Sequence, residues 1–311
     1  MDIIKAIASE LNVRNGQVEA AVKLIDEGCT IPFISRYRKE ATGALNDEQL
    51  RNLDERLKYL RNLEDKKAQV IESIEEQGLL TDELKAQIEK AGTMVAVEDL
   101  YRPYRPKRRT RATIAKEKGL EPLANVIMLQ MTKEPLVKAA EAYVSGDKGV
   151  NTPEEAIAGA MDIIAELISD NADYRTRIRE ITFKEGILSS TAKDADAKTV
   201  YEMYYNFTEP VAKMAGHRIL AVNRGENEKI LTVKIEAPED KILSYLEKQI
   251  IVRDNINTVQ ALKDCIRDSY ERLIAPSIER EIRNQLTETA EDGAIKVFGK
   301  NLEQLLLQPP I

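Results

Sequence analysis

The chain has 311 residues, 43% of them hydrophobic, 32% charged and only 5% aromatic, with no Trp; this is enough for about two domains whose interiors are Leu, Ile, Val and Ala, as in packed helices. A net charge of −7 excludes a protein that coats nucleic acid with its whole surface, because nonspecific phosphate binding needs an excess of Lys and Arg. No run of about 18 consecutive apolar residues occurs, and the start lacks a basic segment followed by a long apolar one, so a cytoplasmic chain with no membrane partner is expected.

The fold class expected is mainly α, a multi-helix array. Ile3, Ile4, Ile7, Ala8 and Leu11 share one helical face, as do Val18, Ala21, Val22 and Ile25. Two short helices joined over 12–16 result, compatible with a helix-turn-helix and equally with any small helical hairpin. Gly28 reads as a helix C-cap, and Thr30-Ile31-Pro32-Phe33 as extended or turn because Pro restricts the residue before it. A basic knot of Arg36, Arg38 and Lys39 follows. Asn46-Asp47-Glu48 then starts a long helix, with acidic residues at its positive dipole end. Leu50, Leu53, Leu57, Leu60, Leu63, Val70 and Ile74 give it an apolar stripe up to Gly78. The heptad register slips after Leu60, so the stripe reads as an internal packing seam more than a dimerising coiled coil.

Thr81 to Ala91 is a further helix. From Arg102 to Arg111 the chain then carries six basic residues and no acidic one, leaving 40 basic against 53 acidic residues elsewhere. Past this strap, Gly119-Leu120-Glu121-Pro122 opens a helix, and Thr152-Pro153-Glu154-Glu155 opens another with a cap, a first-turn Pro and a returning Glu. Residues 171–186 and 194–214 read as helices, the second with an aromatic cluster around Tyr201, Tyr204, Tyr205 and Phe207 that suits a core. One small β-hairpin is expected near 218–236, from the β-prone runs Ile219 to Val222 and Ile230 to Ile235 around Arg224-Gly225-Glu226-Asn227. Helix resumes at Pro238-Glu239-Asp240 and again from Val259, where Pro276 should kink or break it before Ile278, Ile282 and Leu286. The double Pro at 309–310 reads as a boundary. The expected organisation is 1–78, an N-terminal helix-turn-helix-like region with the long helix; 79–215, a central helical region with the strap; and 216–311, the hairpin and C-terminal long helices.

Catalytic patterns are missing from the sequence. His217 is a single imidazole with no cysteine near it, and Cys29 and Cys265 have no metal-ligand spacing, which suits reduced, inert thiols. Gly293 to Gly299-Lys300-Asn301 has one residue too many for a phosphate loop, and Asn stands where Ser or Thr should hold magnesium. Acidic pairs such as Asp162 and Glu166 are ordinary on charged helices. The expectation is a binding protein, not an enzyme, with no cofactor and no metal.

Three stretches, Pro32-Phe33-Ile34-Ser35-Arg36-Tyr37-Arg38-Lys39-Glu40-Ala41-Thr42-Gly43, Asp99-Leu100-Tyr101-Arg102-Pro103-Tyr104-Arg105-Pro106-Lys107-Arg108-Arg109-Thr110-Arg111-Ala112 and Pro276-Ser277-Ile278-Glu279-Arg280-Glu281, resemble the Tex family of bacterial transcription accessory proteins. The resemblance implies a cytoplasmic, nucleic-acid-associated protein, related to a eukaryotic elongation factor. It also implies a helical, helix-turn-helix-containing part that precedes RNase H-like, helix-hairpin-helix and S1 domains. The candidate nucleic-acid-binding residues are Arg102, Tyr104, Arg105, Lys107, Arg108, Arg109 and Arg111, with Arg36, Arg38 and Lys39 as a weaker set. In one reading Pro103 and Pro106 hold the strap extended, its cations lie along RNA or DNA phosphates, and Tyr101 and Tyr104 stack on bases. In the other, the strap pairs with acidic helices of the same chain, and the region is a scaffold for its other domains and for transcription-machinery proteins. Exposure of the cations discriminates the two.

Overall fold

In the computed structural model, which describes residues 2–308, a long helix organises the first part of the chain. The expected boundary at Pro309-Pro310 lies outside the described residues. Helices α1 (Ile3–Leu11), α2 (Asn15–Asp26) and α3 (Ile31–Tyr37) pack on α4 (Asp47–Glu76), and α5 (Asp82–Lys90) and α6 (Met94–Tyr101) complete this unit, Met1–Arg105. The start of α4 is fixed by a reciprocal cap: Asn46 Oδ1 accepts from the Gln49 amide at 2.8 Å, and Gln49 Oε1 accepts from the Asn46 amide at 3.1 Å. The whole predicted stripe from Leu50 to Ile74 is buried against the smaller helices. Lys67 also lies in that stripe, its ammonium donating to Glu64 and to the Glu89 carbonyl, each at 2.9 Å. Burial of a charge there is sustained only because those acceptors are in place.

Thr30 is extended as expected, but residues 31–33, also expected as extended or turn, instead begin α3, with Pro32 in its first turn. Pro needs no donor there, and its fixed φ suits a helix start.

The second unit, Pro106–Ile311, is built around α10 (Pro153–Asp170). Helices α7 (Arg111–Glu117), α8 (Glu121–Leu129), α9 (Leu136–Ala140), α11 (Ala172–Glu185) and α14 (Val259–Asp268) pack on it. Thr152 caps α10 through the Glu155 amide at 3.2 Å, and Pro153 occupies its first position. The small residues Ala156 and Ala160 then let neighbouring helices close on Ile163, Ile164 and Ile168.

The fold is mainly α with one small sheet. That sheet has three antiparallel strands in the order β2-β1-β3, with β1 (Ile187–Ala192) between β2 (Asn206–Pro210) and β3 (Leu231–Glu236); Ser190 stands opposite Phe207 and Val233. Two expectations are corrected. Residues 194–214 are not a helix: the stretch contains β2 and short 3-10 turns, while Tyr201 and Tyr204 do enter the core as expected. Residues Ile219 to Val222 are not a strand but part of α12 (Gly216–Asn227), which buries Ile219, Val222 and Gly225 at a spacing of three. Gly225 is therefore no turn residue. A Cβ there would lie 2.5 Å from Leu231 Cδ1, so its bare backbone is what lets α12 approach β3.

Helix α13 (Glu239–Ile250) follows the sheet. Pro276 does not break the last helical run. A π-helical turn, Ser269–Ile274, joins α14 to α15 (Ala275–Leu306), and Pro276 lies in the first turn of α15. The wider π geometry keeps Ile266, Tyr270, Ile274, Ile278 and Ile282, four residues apart, on the buried face. Among the described residues no helix is long and apolar enough to cross a membrane.

Candidate nucleic-acid interface

The strap residues fall in both units and do different things in each. At the end of the first unit the chain turns tightly: the Tyr104 and Arg105 amides both donate to the Tyr101 carbonyl, at 2.9 and 3.0 Å. This corrects the expectation of an extended segment held by Pro103. Tyr101 faces inward, its hydroxyl 3.0 Å from Ser73 Oγ and its ring 5.9 Å from Lys66 Nζ, and Tyr104 packs on the same core. Both rings are half-buried. Arg102 is half-buried, while Arg105 points outward, 66% exposed, with Glu98 3.7 Å away. That carboxylate is shared with Lys66 at 2.6 Å, so Arg105 is incompletely neutralised.

In the second unit Lys107 is held internally. Its ammonium contacts Asp170 and lies 3.2 Å from Glu166, both on α10. Arg108 and Arg109 are exposed: Arg108 has no ion pair within 4.0 Å among the described residues, and Arg109 only reaches Glu117 at 4.0 Å. Thr110 and Thr113 cap α7 reciprocally, at 3.1 and 2.8 Å, which fixes where Arg111 starts the helix. Arg111 is exposed on the side of Asp162. Burial pushes the Asp162 carboxyl above its ordinary value, against the opposing pull of Arg111 and Arg272.

The basic knot is the more open cluster. Arg36, Arg38 and Lys39 are all exposed, and among the described residues none has an ion pair within 4.0 Å. Between them stands Tyr37, 67% exposed, its ring 5.4 Å from that of Phe33 one helical turn back; the Arg38 guanidinium lies 5.2 Å from the Phe33 centroid. The segment is pinned from beneath. Buried Thr42 donates to the Arg38 carbonyl at 3.2 Å, the Ala44 amide to the Lys39 carbonyl at 2.8 Å, and Gln17 of α2 to the Gly43 carbonyl at 2.8 Å. Sequence reasoning found these cations but missed the aromatics. The available signal was Phe33 and Tyr37 four apart, hidden by reading Pro32 as a break.

Elsewhere, His217 lines an apolar groove of about 790 Å³ with Phe183, Leu286 and Phe298. The Cys265 thiol is pushed up to about 12 by burial, which keeps it protonated and unreactive. No group of three metal-ligating side chains occurs among the described residues.

Comparison with known proteins decides the family. Residues 1–75 match the Tex-like protein N-terminal domain, and residues 130–298, more than half the chain, match the Tex central region. The chain belongs to the Tex family. It is 50% identical to YdcI of Bacillus subtilis over 98% of this chain and 43% of that protein. It is 41% identical to the transcriptional accessory protein Tex of Neisseria gonorrhoeae over 100% of this chain and 42% of that protein. Human S1 RNA-binding domain-containing protein 1 is 29% identical over 100% of this chain and 32% of its own length. The chain thus spans less than half the length of these relatives.

Proposed function

We propose that this Tex-family region is a cytoplasmic binding element, without catalysis of its own, that contributes nucleic-acid association to transcription. The observation that carries the reading is the set of outward-pointing cations on a chain of net charge −7: Arg105, Arg108 and Arg109 along the strap, and Arg36, Arg38 and Lys39 beside α3. Exposed cations with no carboxylate, or only a distant or shared one, are the ones that can displace counterions from phosphates. The names of two relatives, a transcriptional accessory protein and an S1 RNA-binding domain-containing protein, point the same way. In this reading the α1–α2 pair, compatible with a helix-turn-helix or a plain helical hairpin, contributes through α2, which packs on α3 and anchors Gly43 through Gln17.

A scaffold reading is favoured by one specific contact, Lys107 held between Glu166 and Asp170, which spends a strap cation on the protein's own helix. Fluorescence anisotropy with single- and double-stranded DNA and RNA across a salt series separates the two. Changing Arg105, Arg108 and Arg109 to Ala is expected to weaken binding and to flatten the slope of log affinity against log salt by up to about 3 for a duplex. No binding at low salt, or binding indifferent to these changes, would make the strap structural and the region a scaffold.

A further inference from the structure

We infer that the α3 face is a stacking site for unpaired bases of single-stranded nucleic acid, with Tyr37 as the platform and Arg36, Arg38 and Lys39 as the phosphate contacts. The inference rests on the nucleic-acid reading and deepens it by naming the ligand class.

Among the described residues only three aromatic side chains are exposed, Phe33, Tyr37 and Phe298, and two of them sit one turn apart on this short helix. Exposure of a large ring to water is unfavourable, and the remaining aromatics avoid it. Phe33 is already covered on one side by Arg38, whereas the Tyr37 ring, tilted 43° from that of Phe33, is largely exposed. An aromatic face flanked by three cations suits a base and its adjoining phosphates, because stacking tolerates any base and the backbone charge is met alongside. Bases inside a duplex have both faces occupied by their neighbours, so the platform selects the single strand. Charge alone would also suit an acidic peptide, but such a ligand has no use for the ring.

The site is built before the ligand arrives. Thr42 fixes the Arg38 carbonyl, Ala44 fixes that of Lys39, and Gln17 anchors the following turn at Gly43. Arg14 lies against the same glycine, its Nη2 3.3 Å from where a Gly43 Cβ would stand, and adds a fourth cation nearby. Binding therefore orders little of the protein, which preserves affinity.

The test uses the full chain, mixed-sequence 12-nucleotide RNA and DNA carrying one 2-aminopurine, the matching duplex, and an oligo-Glu peptide. Tyr37→Ala is expected to weaken single-strand binding on the order of 10-fold and to abolish the fluorescence change of the stacked 2-aminopurine, leaving duplex binding unchanged. Tyr37→Phe should retain both, which separates loss of stacking from loss of folding. If Tyr37→Ala binds single strands as wild type does, or loses duplex equally, the stacking site is wrong. Should the strap substitutions still weaken binding in that case, the nucleic-acid reading survives; if the wild type binds no oligonucleotide, both fall. Tyr37-dependent binding of the peptide in place of the oligonucleotides would overturn the inference in favour of a protein-docking face.

Discussion

Replacing Glu281 by Ala is expected to destabilise the second unit by about 3–5 kcal/mol, lowering its melting temperature by on the order of 10 °C. Glu281 of α15 binds two guanidiniums of α11. Arg175 Nη2 donates to Oε1 at 2.7 Å, and Arg179 donates to Oε2 through Nε and Nη2 at 2.9 and 2.7 Å. Ser277 Oγ adds a bond to Oε1 at 3.1 Å and receives one from Arg175 at 2.9 Å. The Arg175 side chain is completely buried, so the substitution strips a carboxylate from a charge that cannot turn to water, whereas Arg179 is partly exposed. The double change Arg175→Met with Glu281→Leu should recover most of the loss, since it removes the buried charge together with its partner. Thermal melts of the two variants decide the matter; equal losses in both would show that packing, not charge, holds α11 to α15.

The same cluster gives the unit an acid sensitivity of known sign. Burial pushes the Glu281 carboxyl upward, but hydrogen bonding to Arg179 and the charges of Arg179 and Arg175 outweigh it, so the folded group lies below its ordinary value of 4.5. A depressed folded pKa contributes stability that is full above 4.5 and is lost as pH falls through the folded value. The stability of the Glu281→Ala variant should accordingly fall less than that of the wild type below about pH 4.5.

In the first unit the largest effect is expected from Leu53→Ala, about 2–5 kcal/mol. Leu53 is fully buried near the start of the α4 stripe, on the helix against which α1, α2 and α3 all pack. Truncation leaves a void between elements that can only partly collapse. Glu55→Ala, two residues away on the exposed face, should fall within about 0.5 kcal/mol of wild type in the same denaturant titration. Comparable losses at both positions would mean that helix propensity, not burial of the stripe, stabilises α4.

What was legible in the sequence was local. The Asn46 cap and the leucine spacing define α4, and Thr152 with Pro153 defines the start of α10, because each signal lies within one or two helical turns of the residues it controls. The sheet was less legible. Its central strand, Ile-Leu-Ser-Ser-Thr-Ala, has little apolar character and becomes a strand through partners at 206–210 and 231–236. The β-branched residues of α12 favour a strand locally, yet their inward positions three apart against α15 select the helix. At the candidate interface the clustering of charge was visible, but its partners were not. Asp170 lies 63 residues from Lys107, and nothing within the strap distinguishes that lysine from the exposed Arg108. The inward turn of Tyr101 likewise depends on Ser73, 28 residues earlier.

The run from the π turn into α15 constrains chain length as well as residue type. The turn holds one residue more than α-helix of the same angle and rise, so losing one within 269–274 is absorbed by reversion to α geometry, whereas losing one at 277 would rotate everything beyond it by about 100° relative to α14. Ile278, Ile282 and Ala290 would swing off the core, and Glu281 away from Arg175. Past Ala290 the described residues of α15 are exposed, so a one-residue deletion at 295 should leave the melting temperature near that of wild type, whereas one at 277 should abolish the folding transition. Insertions and deletions in this helix are thus tolerated on one side of Ala290 and excluded on the other.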